Sequence, residues 1–518
     1  MSAPHPESGG APGSGPAQDA SRARVLALTS WHHDWSGLRV AVLGLGVTGF
    51  SVADTLVELG ARVRVIYGSP DADRERLLDV IGAERACLDD AAQLGELVAF
   101  DPELVVVSPG YRPDHPLTVW AEARGTVVWG DIDLGWRLRD KTARIADWLC
   151  VTGTNGKTTT AQLTAHMLVA GGLRAAPVGN IGVPILDALR DPQGYDALVV
   201  ELSSFQLHRL GEISPYASTC LNLAADHLDW HGSPEAYAGA KAKVYAHTQV
   251  ACVYNRADAA TERMVEEADV VEGARAISFG LDSPPPSGFG IVDGILIDRG
   301  YHADRRNAAF ELVTLEELAE RGLAAPHLVQ NILAAAALAR ARGVEPSEIA
   351  EAILNFSLDA HRVQRIGQIA AAPGVEWVDD SKATNAHAAD GSLRAFERVV
   401  WIVGGLLKGT DLGPLVERHA ARLGGVVVIG ADRRGVLDAL DRFAPGVPRV
   451  EVDPASAADT MPEAVAAAAR LARAGDTVLL APAAASMDQF RDYADRGRQF
   501  QAAVHALGLD EGATEPGE

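Results

Sequence analysis

The stretch WLCVTGTNGKTTTAQL, residues 148–163, constrains this chain more than any other. An apolar run passes through a turn of Gly153, Asn155 and Gly156 straight into a lysine, three threonines and helix-forming residues. That order is half of a βα unit, and a strand apolar on both faces belongs inside a mostly parallel sheet covered by helices. The helix then opens with unpaired backbone N–H groups and the positive end of its dipole, so the turn is suited to an anion.

The match to the phosphate-loop pattern GxxxxGK[ST] is partial, because Val151 stands where that pattern has its first glycine. Every physical element is nonetheless present. Gly153, Thr154, Asn155 and Gly156 supply backbone donors, Lys157 neutralises phosphate oxygens, Thr158 offers a hydroxyl to Mg²⁺, and Thr159 continues the first helical turn. Such a loop announces a nucleotide but not a reaction.

At 518 residues the chain exceeds one ordinary core, and three blocks repeat the strand, turn and helix order. The first, LRVAVLGLGVTGFSVADTLVELG, carries a GxGxxG turn at Gly44, Gly46 and Gly49; the second contains the phosphate loop; the third has strand candidates EWVDD, RVVWIVGG, GGVVVIG and DTVLLAP. We therefore expect an α/β protein of three domains: Rossmann-like over 37–140, a central P-loop nucleotide-binding domain with a mostly parallel sheet over 141–358, and a doubly wound α/β domain over 359–508. The Pro-, Gly- and Ser-rich start reads as a disordered tail over 1–36, and 509–518 as a second one.

The formal net charge of -23 opposes general binding to nucleic acid or to an anionic membrane, so an anionic substrate must meet locally placed cations. No run is long enough to span a bilayer, and four widely spaced cysteines without a CxxC pair suit reduced thiols; a cytoplasmic monomer is expected. Behind the loop, ALVVELSSFQL ends a buried strand on Glu201, either a turn acid or a metal-holding one. NLAADHLDWHG puts His227 past another strand, structural or catalytic. Lys241 lies four residues from both Tyr237 and Tyr245, beside an aromatic stripe where desolvation could lower its pKa.

Taken in order, GLGVTG, SPG, GDIDL, TGTNGKTT, GNIG, ELSSFQL, DHLDWH, AKAKVY, AHRVQ, DDSKATN and APAAASMDQF resemble the Mur ligase family over roughly residues 37 to 508. The resemblance is closest to its D-glutamate-adding members. It implies an ATP-dependent ligase of cytoplasmic peptidoglycan precursor synthesis. UDP-N-acetylmuramoyl-L-alanine is activated as an acyl phosphate and joined to D-glutamate. It further implies two Mg²⁺ ions, with Mn²⁺ as an alternative, held by Thr158, Glu201, His227 and a carbamylated Lys241, with Lys157 neutralising the transferred phosphoryl group. Asn331, Arg362 and Asp380 match positions around adenosine and its phosphates. Val47, Thr48 and Ser108 match the uridine diphosphate site, and Asn180 the substrate between the first two domains. Lys382, Thr384, Lys408, Ser486 and Tyr493 match the D-glutamate pocket, where two carboxylates need cationic and hydroxyl donors.

The chain departs from the family at Tyr67, where an acid is expected near uracil, and at Leu328, where asparagine is expected near adenine. Three rival readings explain less. A P-loop switch leaves the third block's Lys382, Lys408 and Ser486 unused, and an NAD-dependent dehydrogenase accounts only for the first glycines. A folylpolyglutamate-synthase-like ligase has no need of a Gly-rich nucleotide-sugar domain at the front.

Overall fold

The computed structural model describes residues 16–358, 360–369, 372–407, 409–452 and 459–509. Runs of β-branched residues between glycine turns form three sheets. In the first, β1 (Arg39–Leu43), β2 (Arg62–Tyr67), β3 (Glu84–Cys87), β4 (Leu104–Val107) and β5 (Val127–Trp129) lie in the order β3-β2-β1-β4-β5, all parallel.

The second sheet holds β6 (Asp147–Thr152), β7 (Ala175–Gly179), β8 (Ala197–Glu201), β9 (Ala217–Cys220), β10 (Ala251–Asn255), β11 (Arg275–Phe279), β12 (Gly288–Val292), β13 (Ile295–Asp298) and β14 (Phe310–Thr314). Their order is β14-β13-β12-β11-β10-β9-β6-β8-β7. The strand feeding the phosphate loop is interior and buried on both faces, as its apolar run required. Parallel pairing continues outward to β12, after which β13 and β14 add an antiparallel edge.

The third sheet comprises β15 (Gln364–Ile369), β16 (Ala372–Asp379), β17 (Val399–Gly404), β18 (Leu423–Ile429), β19 (Arg449–Glu451) and β20 (Thr477–Leu480) in the order β15-β16-β20-β17-β18-β19. Only β15 runs antiparallel to its neighbour.

Backbone contacts divide the chain into two compact units rather than three. The first comprises residues up to Leu223, Glu235–Leu318 and Gln330–Leu354; the second comprises Ala224–Pro234, Ala319–Val329 and the chain from Asn355 onward. Within the first unit the two sheets share a continuous core, in which Val52, Leu56 and Trp129 belong to the same buried cluster as Trp148, Leu186 and Val200. Polar contacts reinforce that junction. Ser51 donates to Asp187 at 2.6 Å, and Arg190 reaches Glu58 at 2.8 Å and also pairs with Asp54.

The expected tail over residues 1–36 is corrected. Residues 1–15 lie outside the described residues, as does the chain beyond 509, but Pro16–Leu26 is a helix that buries Val25, and the segment after it packs down through buried Leu28 and Trp35. Composition misled here because the Pro/Gly-rich run ends near the helix start, and the apolar residues beyond it find a partner in β5. Trp35 meets Trp129 edge-on with ring centroids 6.4 Å apart, and Arg137 donates to the carbonyl of Leu28 at 3.1 Å.

Candidate active site

In the second sheet β6 runs between β8 and β9, with Val151 opposite Glu201 and Thr152 opposite Cys220. The phosphate loop leaves its end and closes at Gly156, whose φ of +83° is open to glycine at little cost, before Lys157–Ala170 begins as a helix. Asn222 fixes the loop from the side. Its Oδ1 accepts the Asn155 N–H at 2.9 Å, its Nδ2 donates to the Asn155 carbonyl at 3.2 Å, and its own carbonyl accepts the Thr154 N–H at 3.0 Å. Sequence reasoning passed over Asn222, although its place near the end of the run STCLNL, two residues past β9, was the available signal.

Two ammonium groups converge on one carbonyl of this loop. Lys157 Nζ donates to Gly153 O at 3.0 Å and to Thr154 O at 3.0 Å, while Lys241 Nζ donates to Gly153 O at 2.8 Å and to Thr152 Oγ1 at 3.3 Å. Lys241 is 1% exposed, its Nζ 4.9 Å from the ring centre of Tyr237, whose hydroxyl is 3.0 Å from Thr154 Oγ1. The aromatic neighbour read from the sequence is therefore real for Tyr237. Tyr245 instead turns its hydroxyl to the Cys220 N–H and the Val253 carbonyl.

Glu201 ends β8 almost fully buried. Asn180 Nδ2 donates to its Oε1 at 2.9 Å, whereas its Oε2 is buried with no hydrogen-bond partner. A buried carboxylate oxygen without a donor is costly unless a cation meets it. With the Thr158 hydroxyl at the helix start, the all-oxygen donor set fits Mg²⁺, which takes one or two protein ligands and fills its remaining positions with phosphate and water. No group of three His, Cys, Asp or Glu among the described residues forms a metal cage. His227, at φ +52° before the short Leu228–His231 helix, has its Nε2 3.6 Å from Asp226 and belongs to the second compact unit, not to that of Glu201 and Lys241.

At the first sheet, Gly49 packs so tightly on the Gly44 carbonyl that no β-carbon fits between. Ser108 Oγ lies 2.8 Å from where a β-carbon on Gly44 would sit and is buried without a partner. The helix Val47–Glu58 starts there with no side-chain cap, so its first N–H groups face the same turn as Val47 and Thr48. Tyr67 is buried at the end of β2, and burial raises its hydroxyl's pKa.

In the second unit, Lys382 Nζ donates to the Tyr493 hydroxyl at 2.8 Å and sits 4.2 Å from the centre of its ring. The Thr384 N–H returns to the Lys382 carbonyl at 2.8 Å. Ser486 is buried beyond β20, and Lys408 lies outside the described residues. Asp380 is pushed up to about 7 by burial, against hydrogen bonds from Ser392 and the Val363 N–H and the charge of Arg362. Arg362 Nε is itself buried without a partner. Sequence reading missed Arg496, fully buried and donating to Ser381 Oγ at 3.0 Å, Ser381 O at 2.8 Å and Ala484 O at 3.2 Å. Nothing in RDYADRGRQF separates it from the exposed arginines beside it.

A family model described as the Mur ligase middle domain matches residues 151–339, and one described as Mur ligase, glutamate ligase domain, matches 361–484. A Leifsonia xyli protein named UDP-N-acetylmuramoylalanine--D-glutamate ligase is 65% identical over 96% of this chain and 99% of its own. The chain belongs to the Mur ligase family. A Streptomyces avermitilis member of the same name is 50% identical over 92% of this chain and 99% of its own. The crystal structure of a Thermotoga maritima UDP-N-acetylmuramate-alanine ligase, 19% identical, covers 90% of this chain and 99% of its own with a TM-score of 0.54, a likeness of Mur ligase fold.

Proposed function

We infer that this protein is an ATP-dependent ligase that joins D-glutamate to UDP-N-acetylmuramoyl-L-alanine in peptidoglycan precursor synthesis. Near-full-length likeness to relatives named for that reaction supports the choice of substrates. The observation that carries the chemistry is the meeting of Lys157 and Lys241 at the Gly153 carbonyl, on the sheet whose neighbouring strand ends in the half-satisfied carboxylate of Glu201.

Two anions, a triphosphate and a substrate carboxylate, must come into contact before an acyl phosphate can form. Lys157 and the open N–H groups of the loop draw negative charge off the γ-phosphoryl group as the carboxylate attacks and ADP leaves. The D-glutamate amine then attacks the acyl carbon, phosphate departs with the bonding pair, and an amide remains. Mg²⁺, held by Thr158 and Glu201, with His227 and a carbamylated Lys241 for a second ion, would supply charge screening between the reacting oxygens; Mn²⁺ suits the same donors.

The three sheets take separate tasks in this reading: residues 37–140 the uridine diphosphate through Val47, Thr48 and Ser108, 141–358 the ATP with Asn331 at the loop, and 359–508 the D-glutamate. Asn180 serves the sugar-nucleotide chain, and Arg362 and Asp380 the adenosine phosphates. In the amino-acid pocket Lys382, Thr384, Lys408, Ser486 and Tyr493 provide the cationic and hydroxyl donors that two carboxylates demand. A nucleotide switch would have no use for the Lys382–Tyr493 pair.

With Mg-ATP, UDP-N-acetylmuramoyl-L-alanine and D-glutamate together, phosphate release should accompany a nucleotide peptide longer by one residue. Release that is indifferent to D-glutamate defeats the reading.

A further inference from the structure

Ser486 stands in a turn past the end of β20, neither on a strand nor on a helix. Its carbonyl accepts the N–H groups of Gln489 at 3.2 Å and Phe490 at 2.9 Å, so the turn closes on itself. Two neighbouring strand ends hold it from outside. Beyond β17, Leu406 and Ala485 exchange N–H···O bonds of 2.9 and 3.1 Å. Beyond β18, Gln489 Oε1 accepts the Gly430 N–H at 2.7 Å and Asp488 Oδ2 accepts the Ala431 N–H at 2.9 Å.

The packing around this suspension has no slack. A β-carbon on Gly430 would come within 2.7 Å of Gly405 N, and one on Gly405 would strike the Ala485 carbonyl. Just upstream, Ala483 is held at φ +57°, a conformation that costs a non-glycine residue free energy and persists only where its surroundings over-determine it. The Ala483 N–H itself donates to the Ala383 carbonyl at 2.9 Å, and the Asp488 and Gln489 side chains hold the turn a few residues further on.

We propose that Asp488 and Gln489 are positioning residues for the amino-acid half of the ligation. By gripping the Gly430–Ala431 backbone they fix the Ser486 hydroxyl where it meets a carboxylate of the incoming D-glutamate. The inference rests on the D-glutamate reading of Ser486 given above. It separates two kinds of dependence: loosening the grip weakens the amino acid and leaves the two nucleotide substrates alone, because the phosphate loop lies in the other compact unit and the grip's hydrogen bonds run to Gly430 and Ala431, not to Arg362 or Asp380.

The test is steady-state phosphate release with each substrate varied in turn, in the full chain. Gln489→Leu and Asp488→Ala should each raise the KM for D-glutamate about tenfold, the effect of one lost hydrogen bond. The KM values for ATP and the uridine nucleotide should stay within about twofold. Asp488→Asn keeps an oxygen for the Ala431 N–H and should recover most of the loss seen with alanine. In Gln489→Leu, amide exchange at Gly430 and Ala431 should also quicken, a readout that needs no substrate.

Unchanged D-glutamate KM in both variants, equal losses for all three substrates, or an asparagine variant no better than alanine would each overturn the inference while leaving the ligase reading intact. A wild-type protein that releases no phosphate in response to D-glutamate would instead overturn that reading and remove the substrate from this one. Should Gln489→Leu fail to fold, the Asp488 pair decides.

Discussion

The carboxamide of Asn331 fills the space that a β-carbon on Gly156 would need, with its Cγ and Nδ2 3.0 Å from that point. A helix of the central sheet is thereby pressed against the turn that opens the phosphate-loop helix. Gly156→Ala meets two obstacles, the overlap with Asn331 and a φ of +83° that costs an L-residue about 1–2 kcal/mol. We expect the KM for ATP to rise at least about tenfold, from roughly 1.4 kcal/mol of lost binding. Adding Asn331→Ala should remove the overlap and not the backbone strain, so the double variant should not return to wild type. Phosphate release at varied ATP measures both; a single variant with an ordinary ATP KM would show that the loop tolerates the side chain.

Lys241 carries the carbamate proposal. As an ammonium it already donates to Gly153 O, so its replacement by alanine removes a loop contact as well as any carbamate. These losses are separable, since a small carboxylate such as acetate can stand in for the carbamate anion and not for the N–H donor. Lys241→Ala should lose at least about 10²-fold in kcat, the scale of a lost electrostatic stabiliser, and regain part of it with added acetate. Wild-type turnover without additive would remove Lys241 from the mechanism, and a severe defect indifferent to acetate would remove the carbamate.

Much of this arrangement is legible in the sequence because the residues concerned sit at strand ends or helix starts, where spacing predicts position. VTGTNGKTTT places Gly156, Lys157 and Thr158 by the logic of a βα turn, and ALVVE places Glu201 at the carboxyl end of an adjacent strand. What stayed hidden depends on contacts between residues far apart in the chain. Asn222 grips Asn155 across 67 positions, and Arg496 reaches Ser381 across 115. The shared core of the first two sheets was hidden for the same reason, since Ser51 gives no sign of Asp187.

Asp131 and Asp133, the acids of GDIDL, are both pushed up to about 6 by burial. Asp131 Oδ2 accepts from Gln206 at 3.0 Å while its Oδ1 is buried without a partner; Asp133 Oδ1 accepts the Gly211 N–H at 2.8 Å. A carboxyl whose folded pKa lies above its unfolded 3.8 favours the folded state below pH 3.8 and surrenders that favour as pH rises toward 6. At pH 7.5 each charged carboxylate therefore subtracts about 1–3 kcal/mol. Asp131→Asn keeps an oxygen for Gln206 and discards the charge, so the midpoint of thermal unfolding should rise at pH 7.5. The variant's stability should also fall less than wild type's between pH 4 and 6. A midpoint lowered at pH 7.5 would mean that the carboxylate's charge is used.

The N-terminal segment makes the last prediction. Trp35 is 1% exposed, packs edge-on to Trp129 and donates Nε1–H to the Ser30 carbonyl at 3.0 Å. The Trp31 N–H donates to Asp140 at 2.8 Å, and Lys141 Nζ lies 4.0 Å from the centre of the Trp31 ring. Residues 30–35 thus hold down the chain that leaves the first sheet, after the Asp131–Leu138 helix and before β6. Trp35→Ala removes a buried indole, which costs about 3–5 kcal/mol. A protein with two compact units has no single unfolding free energy, so the loss is better located than summed. Amide exchange should quicken in β5 and the Asp131–Leu138 helix and stay unchanged across β16 to β20, with Trp35→Phe intermediate because it keeps the ring and loses the N–H. Exchange that quickens evenly over the chain, or nowhere, would show that this segment is no part of the first unit's core.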